Sequence, residues 1–193
     1  MFETLFISTG VVALAEIGDK TQLLAFILAA RFKKPLPIIL GILCATIVNH
    51  GLAGALGAWI TSAITPETMR WVLGASFIAM AIWTLIPDKI EDEETQVAQR
   101  WGVFGATLIT FFLAEMGDKT QIATVAMAAK FASPVLVVVG TTLGMLIADV
   151  PAVFVGDKFA AKIPMKLVHS IAAGIFALLG VATLAGAGAS FGF

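Results

Sequence analysis

Two octapeptides place acids, lysines and amides inside long apolar runs: Ala15-Glu16-Ile17-Gly18-Asp19-Lys20-Thr21-Gln22 and Ala114-Glu115-Met116-Gly117-Asp118-Lys119-Thr120-Gln121. They differ only at Ile17 and Met116. An ionised side chain in such surroundings is expensive and points by default to an ion or substrate pathway. On a continuous helix, residues three and four apart share a face, so Glu16, Asp19 and Lys20 would cluster and Asp19 would fall in step with Gln22. Glu115, Asp118, Lys119 and Gln121 repeat the pattern. Gly18 and Gly117 lie between the acids, where a missing side chain allows a neighbouring helix to approach or the helical ladder to open locally.

If the two motifs face each other, four carboxylates and two amide oxygens converge, with two lysines nearby. Such oxygen donors suit magnesium, calcium and manganese, whereas zinc and copper sites normally recruit His or Cys. Four negative charges against two positive leave a deficit that one divalent ion would cancel. The expected ligands are therefore Glu16, Asp19, Gln22, Glu115, Asp118 and Gln121. The competing expectation is a pair of intrahelical ion pairs, Glu16 with Lys20 and Glu115 with Lys119, which would leave Asp19 and Asp118 without partners. Duplication of a whole octapeptide at one depth favours the shared site. Lys20 and Lys119 are then expected to pair with carboxylates when no metal is bound.

Three further polar residues fall in apolar spans. His50 and Asp149 occupy equivalent places in the two halves, and Asn49 precedes His50. With Lys20 and Lys119 they are candidate pathway residues, although a single mid-helix histidine is ordinarily a hydrogen-bonded core residue. Met116 and Cys44 read as packing residues. A lone cysteine allows no internal disulfide and no cysteine metal site.

The elements that must position these residues are helices in a membrane. The chain is 59% hydrophobic and 13% charged, with a mean hydropathy of +0.98, and apolar runs of about 20 residues can each cross the hydrocarbon core. The runs are too continuous for a barrel's alternation. The fold class is all-α, a polytopic membrane protein of six transmembrane helices, over about Leu5–Ala30, Leu36–Ile60, Met69–Ile86, Gly102–Lys130, Pro134–Val155 and Met165–Ala187. Met1-Phe2-Glu3 lacks the basic start of a signal peptide, so the first run reads as a retained helix. Gly51, Gly54 and Gly57 read as a helix-packing stripe.

Between Pro87 and Arg100 the composition turns polar, with Asp88, Glu91, Asp92, Glu93 and Glu94. The division is a first three-helix repeat over 1–86, an acidic cytoplasmic linker over 87–101 and a second repeat over 102–193. A shift of 99 positions, the separation of Glu16 from Glu115, also aligns Ala29-Ala30 with Ala128-Ala129, Phe32 with Phe131, Pro35 with Pro134, Gly41 with Gly140 and Gly57 with Gly156. The chain is an internal duplication. With an odd number of spans per half, the second must start from the opposite side, giving two inverted repeats. Basic loop residues divide as Arg31, Lys33, Lys34, Lys89, Arg100, Lys158, Lys162 and Lys166 on one side against Arg70 and Lys130 on the other. The first side is expected to be cytoplasmic, with both termini extracytoplasmic.

The paired Glu-x-Gly-Asp-Lys-Thr motifs, on the first helix of each half of a six-helix chain, resemble the cation/calcium exchanger family of calcium and manganese transporters from Golgi and thylakoid membranes, whose short bacterial members include manganese exporters. The resemblance covers the whole layout. It implies divalent-cation transport, with Glu16, Asp19, Glu115 and Asp118 as ligands, and manganese or calcium export from a bacterium across its inner membrane. Moving a divalent ion out against an inside-negative potential costs about 4.6 kcal/mol per 100 mV. With no Walker-type glycine loop in the sequence, a proton or sodium gradient is the expected driver. The expected partners are a divalent metal ion, protons and the bilayer; an oligomer is allowed, and neither a cofactor nor a nucleic acid is expected. A passive channel lined by the same acids, an intramembrane aspartyl protease using the two Gly-Asp pairs, and a metal-dependent assembly factor are the other readings.

Overall fold

The computed structural model describes residues 2–86, 101–131, 133–155 and 165–186. Among them the chain forms helices and no strand: α1 (Phe2–Glu16), α2 (Lys20–Phe32), α3 (Pro35–Ala63), α4 (Pro66–Thr84), α5 (Gly102–Glu115), α6 (Lys119–Lys130), α7 (Pro134–Val155) and α8 (Met165–Leu184). Residues 87–100 of the acidic linker, and Gly156, Lys158 and Lys162, lie outside the described residues.

Local chemistry explains several helix ends. Pro35 and Pro66 open α3 and α4, where a missing N–H leaves nothing unsatisfied. Thr65 caps α4 by accepting from the Thr68 N–H at 3.3 Å. Lys33 closes α2 in the left-handed region at φ 52°, its N–H donating to Ala29 O. Pro151 lies inside α7 and gives no N–H to the carbonyl four residues back.

The first and fourth predicted helices are not continuous. α1 stops at Glu16 and α2 starts at Lys20; α5 stops at Glu115 and α6 starts at Lys119. Gly18 and Gly117 sit at the breaks with φ of 86° and 79°, which glycine adopts freely and other residues do not. The expectation that Glu16, Asp19 and Lys20 share one helical face is therefore corrected.

Helices of one half pack on helices of the other, in pairs related by the 99-residue shift. Gly41 of α3 lies so close to α5 that an added methyl would meet Thr107 Cβ at 2.7 Å and Phe104 O at 3.0 Å. Its counterpart Gly140 on α7 approaches α1 in the same way, with Ser8 Cβ at 2.8 Å and Leu5 O at 2.9 Å. Close helix approach through small residues is how apolar helices associate in lipid. Gly54 and Gly57 pack tightly on α7 and α6, whereas Gly51 faces open space. α4 and α8 form a second layer in which the equivalent Phe77 and Phe176 stack, ring centroids 6.5 Å apart.

Pro35–Ala63 and Pro134–Phe154, of 29 and 21 residues, are long and apolar enough to cross a bilayer; Gly102–Glu115 and Ser170–Leu184 are shorter apolar helices. Leu36, Leu40, Ile47, Leu52, Val135, Val139 and Ile147 on the two long helices point outward. The interior holds Ser8, Glu16, Asp19, Asn49, His50, Glu115, Asp118, Lys119 and Asp149, all at most 3% exposed. Apolar outside and ionisable inside is the arrangement of a membrane protein with a buried pathway.

Candidate metal centre

Each helix break turns its motif into a small bracket. After the break at Gly18, the Asp19 N–H donates to Glu16 O at 3.0 Å and the Gly18 N–H donates to Gln22 Oε1 at 2.9 Å. The second motif does the same, Asp118 to Glu115 O at 3.1 Å and Gly117 to Gln121 Oε1 at 2.8 Å. Backbone groups freed in a poorly solvated interior must find such partners. The glutamine amides also reach across the halves: Gln22 Nε2 donates to Ala148 O at 2.8 Å, in the turn of α7 that Pro151 disrupts, and Gln121 Nε2 approaches Asn49 Oδ1 at 3.4 Å. Both amide oxygens expected as ligands are thus engaged as braces.

The break also decides which side chains meet. Thr21 donates its hydroxyl to Glu16 Oε2 and Thr120 donates to Glu115 Oε1. Residues five apart on a continuous helix do not share a face, so these threonine partners were invisible to helical spacing. Their signal was the recurrence of Thr at the same place in both motifs. Lys20 and Lys119 reach across to the opposite half. Lys119 Nζ lies 3.0 Å from Asp19 Oδ1 and Lys20 Nζ lies 3.5 Å from Asp118 Oδ1, so each lysine serves the aspartate of the other half. Glu16 and Lys20, like Glu115 and Lys119, fall on different helices, so the expected pairing within one helix is corrected, and both aspartates have cationic partners. Neither aspartate caps the helix it precedes with its side chain, which leaves the carboxylates to the crossing pairs.

Carboxylate oxygens of Glu16, Asp19 and Asp118 all lie within 4.8 Å of one another. Oxygens bound on opposite sides of one ion at about 2.4 Å are about 4.8 Å apart, so the three donors stand close enough together to share one hard divalent ion. Glu16 and Glu115 end half-helices whose final carbonyls carry partial negative charge, which adds to the cation-attracting field. Glu16 Oε1 and Glu115 Oε2 are buried with no hydrogen-bond partner. The fourth motif acid, Glu115, stands outside the group of three and faces His50, whose Nε2 is 3.6 Å from Glu115 Oε1. Asp149 is fully buried with both oxygens unpartnered. Asn49 donates to Phe112 O at 3.1 Å and is occupied structurally. Met116, expected to pack, is half exposed at the break, and Cys44 is partly buried.

The positive φ at the breaks has a measurable consequence. Gly117→Ala places a methyl where nothing lies within 4 Å, so the penalty is conformational, about 1–2 kcal/mol. Gly10→Ala, in the body of α1 with equally open surroundings, is expected to be neutral or slightly stabilising. Thermal unfolding in detergent separates the two; equal midpoints would show that the break does not depend on glycine.

Similarity to known proteins agrees with this geometry. Over residues 4–92 and 103–190 the chain matches a family model described as "Divalent cation/proton antiporter GDT1". It is 50% identical over 184 residues to a Vibrio cholerae protein named "Putative manganese exporter", covering 95% of this chain and 91% of that one. It is 29% identical over 201 residues to a rice "GDT1-like protein 3", covering 91% of this chain and 71% of the relative, and 29% identical over 189 residues to a GDT1-like protein of Synechocystis, covering 88% and 91%. No solved structure matches. An all-helical chain with apolar spans around a buried acidic centre and a match along both halves belongs to the GDT1 family of divalent cation/proton antiporters.

Proposed function

We propose that this protein exports a divalent cation, manganese in preference to calcium, across the bacterial plasma membrane in exchange for protons, through one site built by both motifs. The observation that carries this reading is the convergence of Glu16, Asp19 and Asp118 from the two halves, with each aspartate paired to the other half's lysine. Family membership supports cation/proton exchange, and the name of the Vibrio relative supports manganese. Glu16, Asp19, Glu115 and Asp118 are the proposed ligands, Gln22 and Gln121 hold the breaks open, and Lys20 and Lys119 neutralise the aspartates when the ion leaves. Protons compete with the metal for the same oxygens, and that competition couples the two fluxes.

The proposed architecture is six spans in two inverted repeats. α1 and α2 are each shorter than the about 20 residues a span needs, so they cross together as one broken helix, as do α5 and α6. The paired contacts at Gly41 and Gly140, and at Lys20 and Lys119, support a two-fold relation between the halves. The uneven loop charge supports cytoplasmic placement of the acidic linker and extracytoplasmic termini.

Proteoliposomes test the reading. With the potential clamped, manganese efflux is expected to rise when protons are supplied on the opposite side, and to acidify the compartment the metal leaves. Flux indifferent to the pH gradient would rule out proton exchange, and flux that never saturates would indicate a channel.

A further inference from the structure

The halves agree in their motifs and disagree beside them, where the 99-residue shift brings His50 of α3 against Asp149 of α7. His50 is fully buried, and neither ring nitrogen has a hydrogen-bond partner. A buried polar side chain left idle is costly, so a histidine with only a packing role would be expected to hold at least one bond. Its neighbour does: Asn49 donates to Phe112 O and sits by Gln121, which pins α3 at this level.

The Nε2 to Glu115 Oε1 separation of 3.6 Å is too long for a hydrogen bond. It suits two donors on one ion. Ligands held at about 2.1 Å from a common centre lie between about 3.0 Å, when adjacent, and about 4.2 Å, when opposite. Glu115 is also the motif acid that stands apart from the group of three; its Oε1, which faces the imidazole, accepts the Thr120 hydroxyl, and its Oε2 is unpartnered.

We propose that His50 is a nitrogen ligand for the transported ion, binding with Glu115, and that it gives the site its preference for a first-row transition ion over calcium and magnesium. This rests on the transport reading above. Calcium and magnesium take oxygen donors, so an imidazole adds little for them, whereas transition ions accept mixed nitrogen and oxygen sets. Asp149, the equivalent residue of the other half, can offer only oxygen.

Electron spin-echo spectroscopy on manganese added to the purified full chain reads the proposal directly. The wild-type protein is expected to show nitrogen-14 modulation of an imidazole on the bound ion, and His50→Asn and His50→Gln to lose it. In competition titrations the same variants should lose about tenfold of the manganese-over-calcium preference, about 1.4 kcal/mol. Manganese bound to wild type without nitrogen modulation, or modulation that survives both substitutions, overturns the role of His50 and leaves the carboxylate site standing. A wild-type protein that binds no manganese overturns the transport reading and this one with it.

Discussion

Glu16→Gln is expected to lower manganese affinity and transport by about 100-fold while leaving the fold in place. The amide matches the carboxylate in size, and its oxygen can still accept the Thr21 hydroxyl, so the helix break keeps its internal bond. What disappears is one negative charge in a group of three acids whose oxygens stand within 4.8 Å of one another. Even the outer partners of metal ligands are commonly worth 10–100-fold in affinity, and Glu16 is proposed as a ligand itself. Glu115→Gln should also be severe, since the site is read as shared by both halves. Metal titration and proteoliposome flux check both variants, with thermal unfolding to verify folding. Near-normal flux in either one would show that a single motif suffices, and the shared site would fall.

Lys119→Met is expected to destabilise the protein by about 3–5 kcal/mol in the absence of metal, because it leaves the Asp19 carboxylate in the interior without that ammonium. The pair is almost wholly enclosed, with Lys119 at 1% and Asp19 at 0% side-chain exposure. Lys20→Met should cost less, since Lys20 is 20% exposed and water can take over part of its role toward Asp118. Two further outcomes separate charge from packing. Adding Asp19→Asn to Lys119→Met should recover much of the loss, because the charge that Lys119 faces is removed with it. At one fixed concentration, manganese should stabilise Lys119→Met more than it stabilises the wild type, since in the variant the ion supplies the missing positive charge; a binder at about 100 times its Kd gains about 2.7 kcal/mol. Thermal unfolding in detergent measures all four proteins. If Lys119→Met melts like the wild type, the crossing pair contributes nothing to the interior and its proposed role in the empty carrier is wrong.

Much of this protein was readable from residue order because its determinants are local or periodic. Apolar runs of bilayer length declare helices, the prolines at 35, 66 and 134 mark where they begin, and a repeated octapeptide declares a duplicated motif. The all-helical class, the membrane setting and the interior placement of the four motif acids followed from those features without knowledge of any contact. Gly18 and Gly117 marked the points where the ladder could open, but not that it does.

Which groups meet was decided by tertiary structure. Spacing on an unbroken helix sends Lys20 toward Glu16; the break at φ 86° rotates the second half-helix, so that Thr21 takes Glu16 and Lys20 crosses to Asp118. Spacing likewise offered Gln22 and Gln121 as ligands, whereas their oxygens hold the glycine N–H groups that the breaks release. Glu16 is grouped with the aspartates whereas Glu115 faces His50, a difference between the halves that the identical motifs do not announce. A linear sequence specifies each half-helix through neighbours a few residues away. The pairing of charges separated by about a hundred residues depends on how the two halves pack, and that packing sets the distances.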